Sequence, residues 1–226
     1  GRLIKKVLFS MLVVGATAAT TGAGVAASFN AQTTNAGNTF ATGTLALSDT
    51  ANGTVCLSAS GVANVNSNCN AVVDGSVLHA PGDVVTASFV IANTGTLATP
   101  NLSIFTSTCV DTDTTTTSAY HGAGSPCATL NFYLQEWTGG LPSAGGTASA
   151  CWLGAGTGTT CDPTFATAQP LTALTAHNSL ATKLPLAGPF TAGKRYFTMG
   201  FQLPATAGNA LQGRAAGVDL TWHLDQ

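Results

Sequence analysis

Residues 195–203 read RYFTMGFQL, and in this stretch hydrophobic side chains alternate with polar or small ones. In an extended strand, side chains two positions apart point to the same face. The hydrophobic residues that share a face here are Phe197, Met199, Phe201 and Leu203. The segment therefore predicts a β-strand with one buried face.

Strand patterns of this kind recur along the chain, separated by Gly, Pro, Asn and Thr, and no helical periodicity is sustained beyond the first 27 residues. Two clear examples are residues 84–91 (VVTASFVI) and 217–226 (GVDLTWHLDQ). Further candidate strands are residues 40–47, 101–107, 128–137 and 180–186. About seven or eight strands with turns between them predict an all-β fold, a jelly-roll-like antiparallel β-sandwich. We expect it to form one domain over residues 39–226.

Charged residues make up only 7% of the chain, against roughly 25% in an ordinary soluble domain. After residue 27, four basic side chains stand against nine acidic ones, which leaves a net charge of −5. Nucleic-acid binding is excluded, because it needs a basic surface. The scarcity of ionisable groups also argues against an enzyme.

Residues 1–27 have the layout of a secretory signal: a basic start, an apolar run at 7–15 and small residues up to Ala27. We expect cleavage after Ala27 and a secreted protein at the cell surface. The alternative is a retained membrane helix, because residues 7–27 carry no charge over 21 positions, near the length that spans a bilayer. In that case residues 1–27 alone would contact the membrane.

All six cysteines follow this segment, and an even number in an exported chain predicts disulfides. Six cysteines allow many connectivities. Pairing of sequence neighbours is favoured, because each pair brackets a polar stretch that is expected to be a long loop between strands. The polar stretch at residues 139–164, which holds the last two cysteines, is expected to form a surface insertion. The favoured pairs are Cys56–Cys69, Cys109–Cys127 and Cys151–Cys161. Their spacings fit no zinc or haem motif.

Motifs for catalysis and metal binding are weak. No His-Glu-x-x-His or Gly-x-Ser-x-Gly motif occurs, and Glu136 is the only glutamate. Asp111 and Asp113 could offer oxygens to Ca²⁺, but the rest of a calcium loop is missing, which favours a solvated turn. The histidines lie at least 42 residues apart and are His79, His121, His177 and His223. We expect no catalytic residue, no metal and no cofactor.

Two further features concern glycans. Asn52 and Asn101 each begin an N-glycosylation sequon and are candidate acceptors in an exported chain. Trp137, Trp152 and Trp222 could line a sugar-binding platform. Trp222 falls on the hydrophobic face of its predicted strand, which leaves two tryptophans for such a platform.

Two sequence blocks carry a resemblance to a known family. The first begins with AASFN at residues 26–30 and continues with FATGTLAL at 40–47. The second is PGD at residues 81–83, followed by Phe89 and NTGTL at 93–97. In this order the blocks resemble the camelysin and TasA family of secreted fibre subunits. The likeness covers roughly residues 20–107 and the terminal strand, and the composition is similar to that of archaeal bundling pilins of the same superfamily. The middle third, with four of the cysteines, departs from the bacterial pattern.

The resemblance implies a jelly-roll subunit that polymerises head to tail with copies of itself by donor-strand complementation. The donor would be residues 28–38 (SFNAQTTNAGN), an uncharged segment that enters a groove of the next subunit. An unpaired sheet edge beside an apolar groove is suited to accept such a strand. The residues expected to insert are Ser28, Phe29, Asn30, Ala31, Gln32, Thr33, Thr34 and Asn35. The alternative is that this arm is the first strand of its own sheet or a frayed end.

The sequence thus favours a structural subunit of an extracellular filament or pilus, acting in a biofilm matrix or in cell–cell adhesion. One alternative is a monomeric adhesion or carbohydrate-binding β-sandwich whose partners are surface glycans. A second alternative is a camelysin-like metallopeptidase.

Overall fold

The computed structural model describes residues 34–35, 38–39, 46–51, 53–60, 63–67, 69, 71–72, 80–113, 122–190 and 193–224. The predicted signal segment at 1–27 and most of the candidate donor segment lie outside these ranges, as do Asn52, His79 and His121. The chain divides into two units, Gly1–Gly43 and Thr44–Gln226.

In the first unit, strand β1 (Thr34–Asn35) pairs antiparallel with β2 (Asn38–Thr39). The second unit carries the strands β3 (Leu47–Ala51), β4 (Thr54–Ser60), β5 (Ala63–Ser67), β6 (Val84–Asn93), β7 (Leu102–Thr106), β8 (Val110–Asp113), β9 (Asn131–Thr138), β10 (Thr147–Leu153), β11 (Gly156–Thr157), β12 (Thr160–Cys161), β13 (Leu184–Leu186), β14 (Gly193–Gln202), β15 (Arg214–Gly217) and β16 (Leu220–Leu224). Its two short helices are α1 (Pro126–Thr129) and α2 (Thr172–Thr175). No helix in the described ranges is long and apolar enough to cross a membrane.

The larger sheet of the second unit has seven strands in the order β10-β9-β14-β6-β3-β4-β5, and every described pair is antiparallel. Strand β14 lies at the centre of the more hydrophobic half of this sheet, between β6 and β9. Phe197 of β14 stands opposite Phe89 of β6 on one side and Glu136 of β9 on the other. Phe197 and Met199 are fully buried. The sequence prediction for residues 195–203 is confirmed in strand type and in its buried face.

A smaller sheet, in the order β13-β7-β16, packs over this hydrophobic half. The Trp222 ring of β16 lies 5.4 Å from Phe89 and 5.1 Å from Phe197, measured between ring centroids. Leu102 and Ile104 of β7 are fully buried in the same cluster. Two antiparallel sheets therefore enclose one core, and the predicted all-β class is confirmed.

The candidate strands at 84–91, 101–107 and 217–226 correspond to β6, β7 and β16. The strand predicted at 128–137 starts later, because α1 occupies its first residues. Ser125 caps this helix, accepting a hydrogen bond from the backbone N–H of Ala128 at 3.1 Å. The candidate at 180–186 was too long, because only Leu184–Leu186 is strand. Of the candidate at 40–47, Leu47 lies in β3, and residues 40–45 lie outside the described ranges.

Two loop predictions were wrong. The stretch between Cys56 and Cys69 forms most of the β4–β5 hairpin, and residues 139–164 supply β10, an edge strand of the large sheet. Strands β8 and β15 were not anticipated at all. The physical reason is that Thr, Ser, Asn and Ala at a sheet edge give no hydrophobic alternation, while pairing through the backbone does not require it.

Candidate functional site

An open groove of about 1340 Å³ lies between the two sheets of the second unit, where the small sheet leaves the large one uncovered. One wall is the inner face of β3, β4, β6 and β14. The other wall comes from β16 and from the chain before it, residues 207–219. Hydrophobic groups line its deep part, among them Val85, Ile91, Met199, Phe201 and Leu220.

Strand β16 is an edge of the small sheet in the described part of the chain, and three of its residues line the groove. The Ser107 N–H donates to the Asp219 carbonyl at 3.0 Å, and the Asp219 N–H donates to Ser107 Oγ at 2.9 Å. Residue 219 thus faces β7. Along an antiparallel strand, the backbone N–H and C=O groups of successive residues point alternately toward and away from the neighbouring strand. The backbone groups of Leu220, Trp222 and Leu224 therefore point away from β7. They form a row of donors and acceptors on the outer side of this edge.

Asp49 places a carboxyl group on the inner face of the large sheet, where most neighbours are apolar or small. In the strand register it stands between Ile91 of β6 and Cys56 of β4, and it lines the groove. Burial raises the pKa of Asp49 from 3.8 to about 6. Its Oδ1 is buried without a hydrogen-bond partner among the described residues. A buried acceptor of this kind is costly unless something bonds to it.

Trp222 contributes a second such atom from the opposite wall. Its ring packs on Phe89 and Phe197, as its position on the hydrophobic face of the predicted strand implied. Its indole Nε1 is buried and has no acceptor in the described part of the chain. Two residues on opposite walls of the groove, Asp49 and Trp222, thus each hold one buried polar atom that has no hydrogen-bond partner among the described residues.

Other charged side chains along the groove are Asp83, Asp219 and Arg214. Arg214 is engaged with the Asp113 carboxylate and with the Gly124 carbonyl at 3.3 Å.

The same contacts give Asp111 and Asp113 a structural role. Asp111 Oδ1 accepts a hydrogen bond from the backbone N–H of Cys127 at 2.9 Å, and Asp113 pairs with Arg214. The two carboxylates therefore hold α1 and β15 beside β8, whereas the sequence favoured a solvated turn at this place.

The three tryptophans lie in separate environments. Trp137 is on the outer face of the large sheet and donates from Nε1 to Thr198 Oγ1 at 3.0 Å. Trp152 packs against the core and donates to Glu136 Oε2 at 2.7 Å. Trp222 lies in the groove. The described structure does not bring them together as one platform.

The Glu136 carboxylate forms an ion pair with Arg195. The guanidinium binds both carboxylate oxygens, Nε to Oε1 and NH2 to Oε2, each at 2.6 Å. The Arg195 guanidinium also donates to the Leu186 carbonyl at 3.1 Å, which ties the pair to β13 of the small sheet. Within the described ranges, which omit His79 and His121, no three His, Cys, Asp or Glu side chains lie close enough to hold a metal.

The three disulfides join sequence neighbours, as the sequence analysis favoured: Cys56–Cys69, Cys109–Cys127 and Cys151–Cys161. Their Cα–Cα distances are 4.5, 5.9 and 4.9 Å. Both cysteines of the first pair line the groove. Such bonds indicate a non-reducing, extracellular type of environment.

Two predicted features lie wholly or partly outside the described residues. Of the candidate donor segment, residues 34–35 and 38 are described, and they belong to the β1–β2 pairing. An extended strand that reached residue 38 would require that pairing to open. Of the two sequons, Asn52 is not described; Asn101 is half-buried just before β7, and its sequon partner Ser103 is fully buried.

The groove was not foreseen in detail by sequence reasoning. The signal that could have indicated it is Asp49, a carboxylate on the same strand face as Leu47 and Ala51. No protein-family model matches the chain, and no curated protein matches it.

Proposed function

We propose that the chain is the structural subunit of an extracellular filament that assembles by donor-strand complementation, with a jelly-roll-like sandwich as the body. In this assembly residues 28–38 of one subunit lie in the groove of the next. The observation that carries the proposal is the groove of about 1340 Å³ beside the outer edge of β16.

The backbone supports this function first. Unpaired N–H and C=O groups at a sheet edge are a ready template for another strand. The outward-facing groups of Leu220, Trp222 and Leu224 supply such a template next to an apolar channel. A strand added there would extend the small sheet and cover side chains such as Val85 and Phe201 of the large sheet.

Composition supports it as well. The candidate donor carries no charged side chain. Its insertion therefore does not incur the free-energy cost of removing a charged group from water. Head-to-tail donation that does not close on itself produces a filament. The three disulfides suit a protein that works outside the reducing cytoplasm.

The test uses two neighbouring valines of β6 that point to opposite faces of the sheet. Val85 lines the groove, whereas Val84 is on the outer face and 40% exposed. In the full chain, Val85→Glu places a carboxylate in the path of the inserted strand and is expected to abolish fibres seen by electron microscopy. The matched control Val84→Glu is expected to leave them intact.

A second arm deletes residues 28–38 from the otherwise full chain. Loss of fibres is the expected result. Fibres of unchanged width and repeat from the deleted chain, or equal effects of Val84→Glu and Val85→Glu, would overturn the proposed function.

A further inference from the structure

On the outer face of the large sheet, away from the groove, aromatic side chains of β9 lie across β14. A side chain added at Gly200 would collide with the Tyr133 ring, so this ring lies directly over the glycine. Trp137 covers Thr198 in a similar way: its Nε1 donates to Thr198 Oγ1 at 3.0 Å, and Thr198 is only 6% exposed. The hydrogen bond therefore fixes the indole along the sheet surface.

The aromatic rings of this face differ in their access to solvent. Tyr133 is buried and packs on Phe165, with 5.4 Å between the ring centroids. Trp137 is only half-buried, and so is Tyr196, which stands opposite Trp137 in the pairing of β9 with β14. On the outer face of these two strands, the aromatic surface that reaches solvent therefore belongs to Trp137 and Tyr196.

Exposed hydroxyl groups of β6 border this aromatic surface. Thr86 stands opposite Gly200 and Ser88 opposite Thr198, and both hydroxyl residues are exposed. Ser88 Oγ lies 3.0 Å from Thr198 Oγ1, the atom that accepts from the Trp137 indole. Because a hydroxyl group can donate one hydrogen bond and accept two, Ser88 keeps capacity for a further bond on its solvent side.

The same face carries almost no charge. Among the outer-face residues of β6, β9 and β14, which the structure describes over their full length, only Lys194 is charged. It lies four positions before Thr198, about 13 Å along the strand. A polyanion would need a basic surface here. A pyranose ring instead offers an apolar C–H face that can stack on an indole, and neutral hydroxyl groups around its rim.

We propose that Trp137, Tyr196, Ser88 and Thr86 form a binding site for a neutral saccharide on the outer face of the large sheet. A pyranose stacks its C–H face on the fixed indole of Trp137, and its hydroxyl groups bond to Ser88 and Thr86. The site lies on the opposite face of the sheet from the groove, so the inference goes beyond the proposed function and does not depend on it. In a filament, each subunit would present one such site.

The test measures saccharide binding by the full chain. Immobilised cello-, chito-, xylo- and manno-oligosaccharides serve as neutral probes, with heparin and polygalacturonate as anionic ones, and titration calorimetry gives the Kd for the strongest neutral probe. We expect binding to at least one neutral probe. Trp137→Ala is expected to weaken it by about tenfold through loss of a stacked ring, and Ser88→Ala by about threefold through loss of a neutral hydrogen bond.

The matched control is Val55→Ser, which removes an exposed hydrophobic side chain from the same face. Val55 of β4 belongs to the same cross-strand row as Tyr196, but three strand spacings away, about 14 Å. This variant is expected to bind like the wild type. Trp137→Phe keeps an aromatic ring but loses the bond to Thr198, and its affinity is expected to lie between those of the wild type and Trp137→Ala.

The inference is overturned if no neutral probe binds, if only the anionic probes bind, or if Val55→Ser weakens binding as much as Trp137→Ala does. Should Trp137→Ala fail to fold, as seen from its circular dichroism, Trp137→Phe and Ser88→Ala decide the matter against the same control. A change in the lateral association of fibres in Trp137→Ala, without saccharide binding by the wild type, would show that this face joins copies of the chain and would also overturn the inference.

Discussion

Among the acidic residues that the structure describes, Asp49 lies in the environment least suited to a charged carboxylate. It lies on the inner face of β3, and burial raises its pKa from 3.8 to about 6. The folded chain therefore holds a proton on Asp49 more tightly than the unfolded chain does. An ionised Asp49 is a destabilising element of the fold above the raised pKa.

From this shift we predict that the free energy of unfolding rises as the pH falls from about 7 to about 4, and that the part due to Asp49 is about 2 kcal/mol after allowance for partial exposure. Below the ordinary pKa both states are protonated and the gain levels off. Asp49→Asn should remove this part of the pH dependence. The measurement is urea unfolding of both chains across this pH range.

Asp162 provides a control, because its pKa is shifted in the opposite direction from that of Asp49. Hydrogen bonds from the Thr164 hydroxyl and from nearby backbone N–H groups lower the pKa of this exposed carboxyl. Its contribution to stability is present above its ordinary pKa and is lost as the pH falls through the lowered value. Asp162→Asn should therefore not reproduce the effect of Asp49→Asn, and identical pH profiles for the two variants would contradict our interpretation of Asp49.

At the scale of secondary structure, the Glu136–Arg195 pair connects β9, β14 and β13. Both side chains are largely buried, with 13% and 12% of their surface exposed, and the contact is bidentate. The guanidinium carbon also lies 5.8 Å from the Trp152 ring centroid and 5.6 Å from that of Phe197. Removing one partner of such a pair leaves a buried charge uncompensated.

We predict that Glu136→Gln lowers the free energy of unfolding by about 3 kcal/mol, in the range found for broken buried ion pairs. The matched control is Asp113→Asn, which breaks the more exposed Arg214 pair and should cost under about 1 kcal/mol. Chemical denaturation of both variants measures the difference. Equal losses would show that burial does not set the strength of the Glu136 pair.

The elements also show how far the sequence could be interpreted. Strands with hydrophobic alternation, such as β6 and β14, were predictable because their inner residues form the core. Strands β4, β5 and β10 were not, because their small and polar residues satisfy the backbone at the margin of a sheet without needing burial. The groove is lined both by predictable strands, such as β6 and β14, and by the polar strand β4 and residues 211–219, whose placement has no strong local signal in the sequence.

At the scale of the whole molecule, the disulfides close loops in three different regions of the second unit. The Cys56–Cys69 bond lies in the groove wall, and the Cys109–Cys127 bond joins the β8 region to α1, with sequence separations of 13 and 18. Loops of this length are stabilised by about 3 kcal/mol when closed by a disulfide.

We predict that replacing either pair with alanines lowers the free energy of unfolding by a similar amount, about 3 kcal/mol. The Cys56–Cys69 replacement should raise the critical concentration for fibre formation more than the other, because both of its cysteines line the groove and neither Cys109 nor Cys127 does. Denaturant unfolding and fibre sedimentation measure the two effects. An assembly defect of equal size in the Cys109–Cys127 variant would contradict this assignment.

The order of the cysteines has a consequence for biogenesis. Each bond closes within 18 residues or fewer, and no bond spans another. When the chain enters an oxidising compartment from its N-terminus, each cysteine meets its native partner before the next pair emerges. For a chain exported in this way, we therefore expect sequential oxidation to give the native connectivity without disulfide reshuffling.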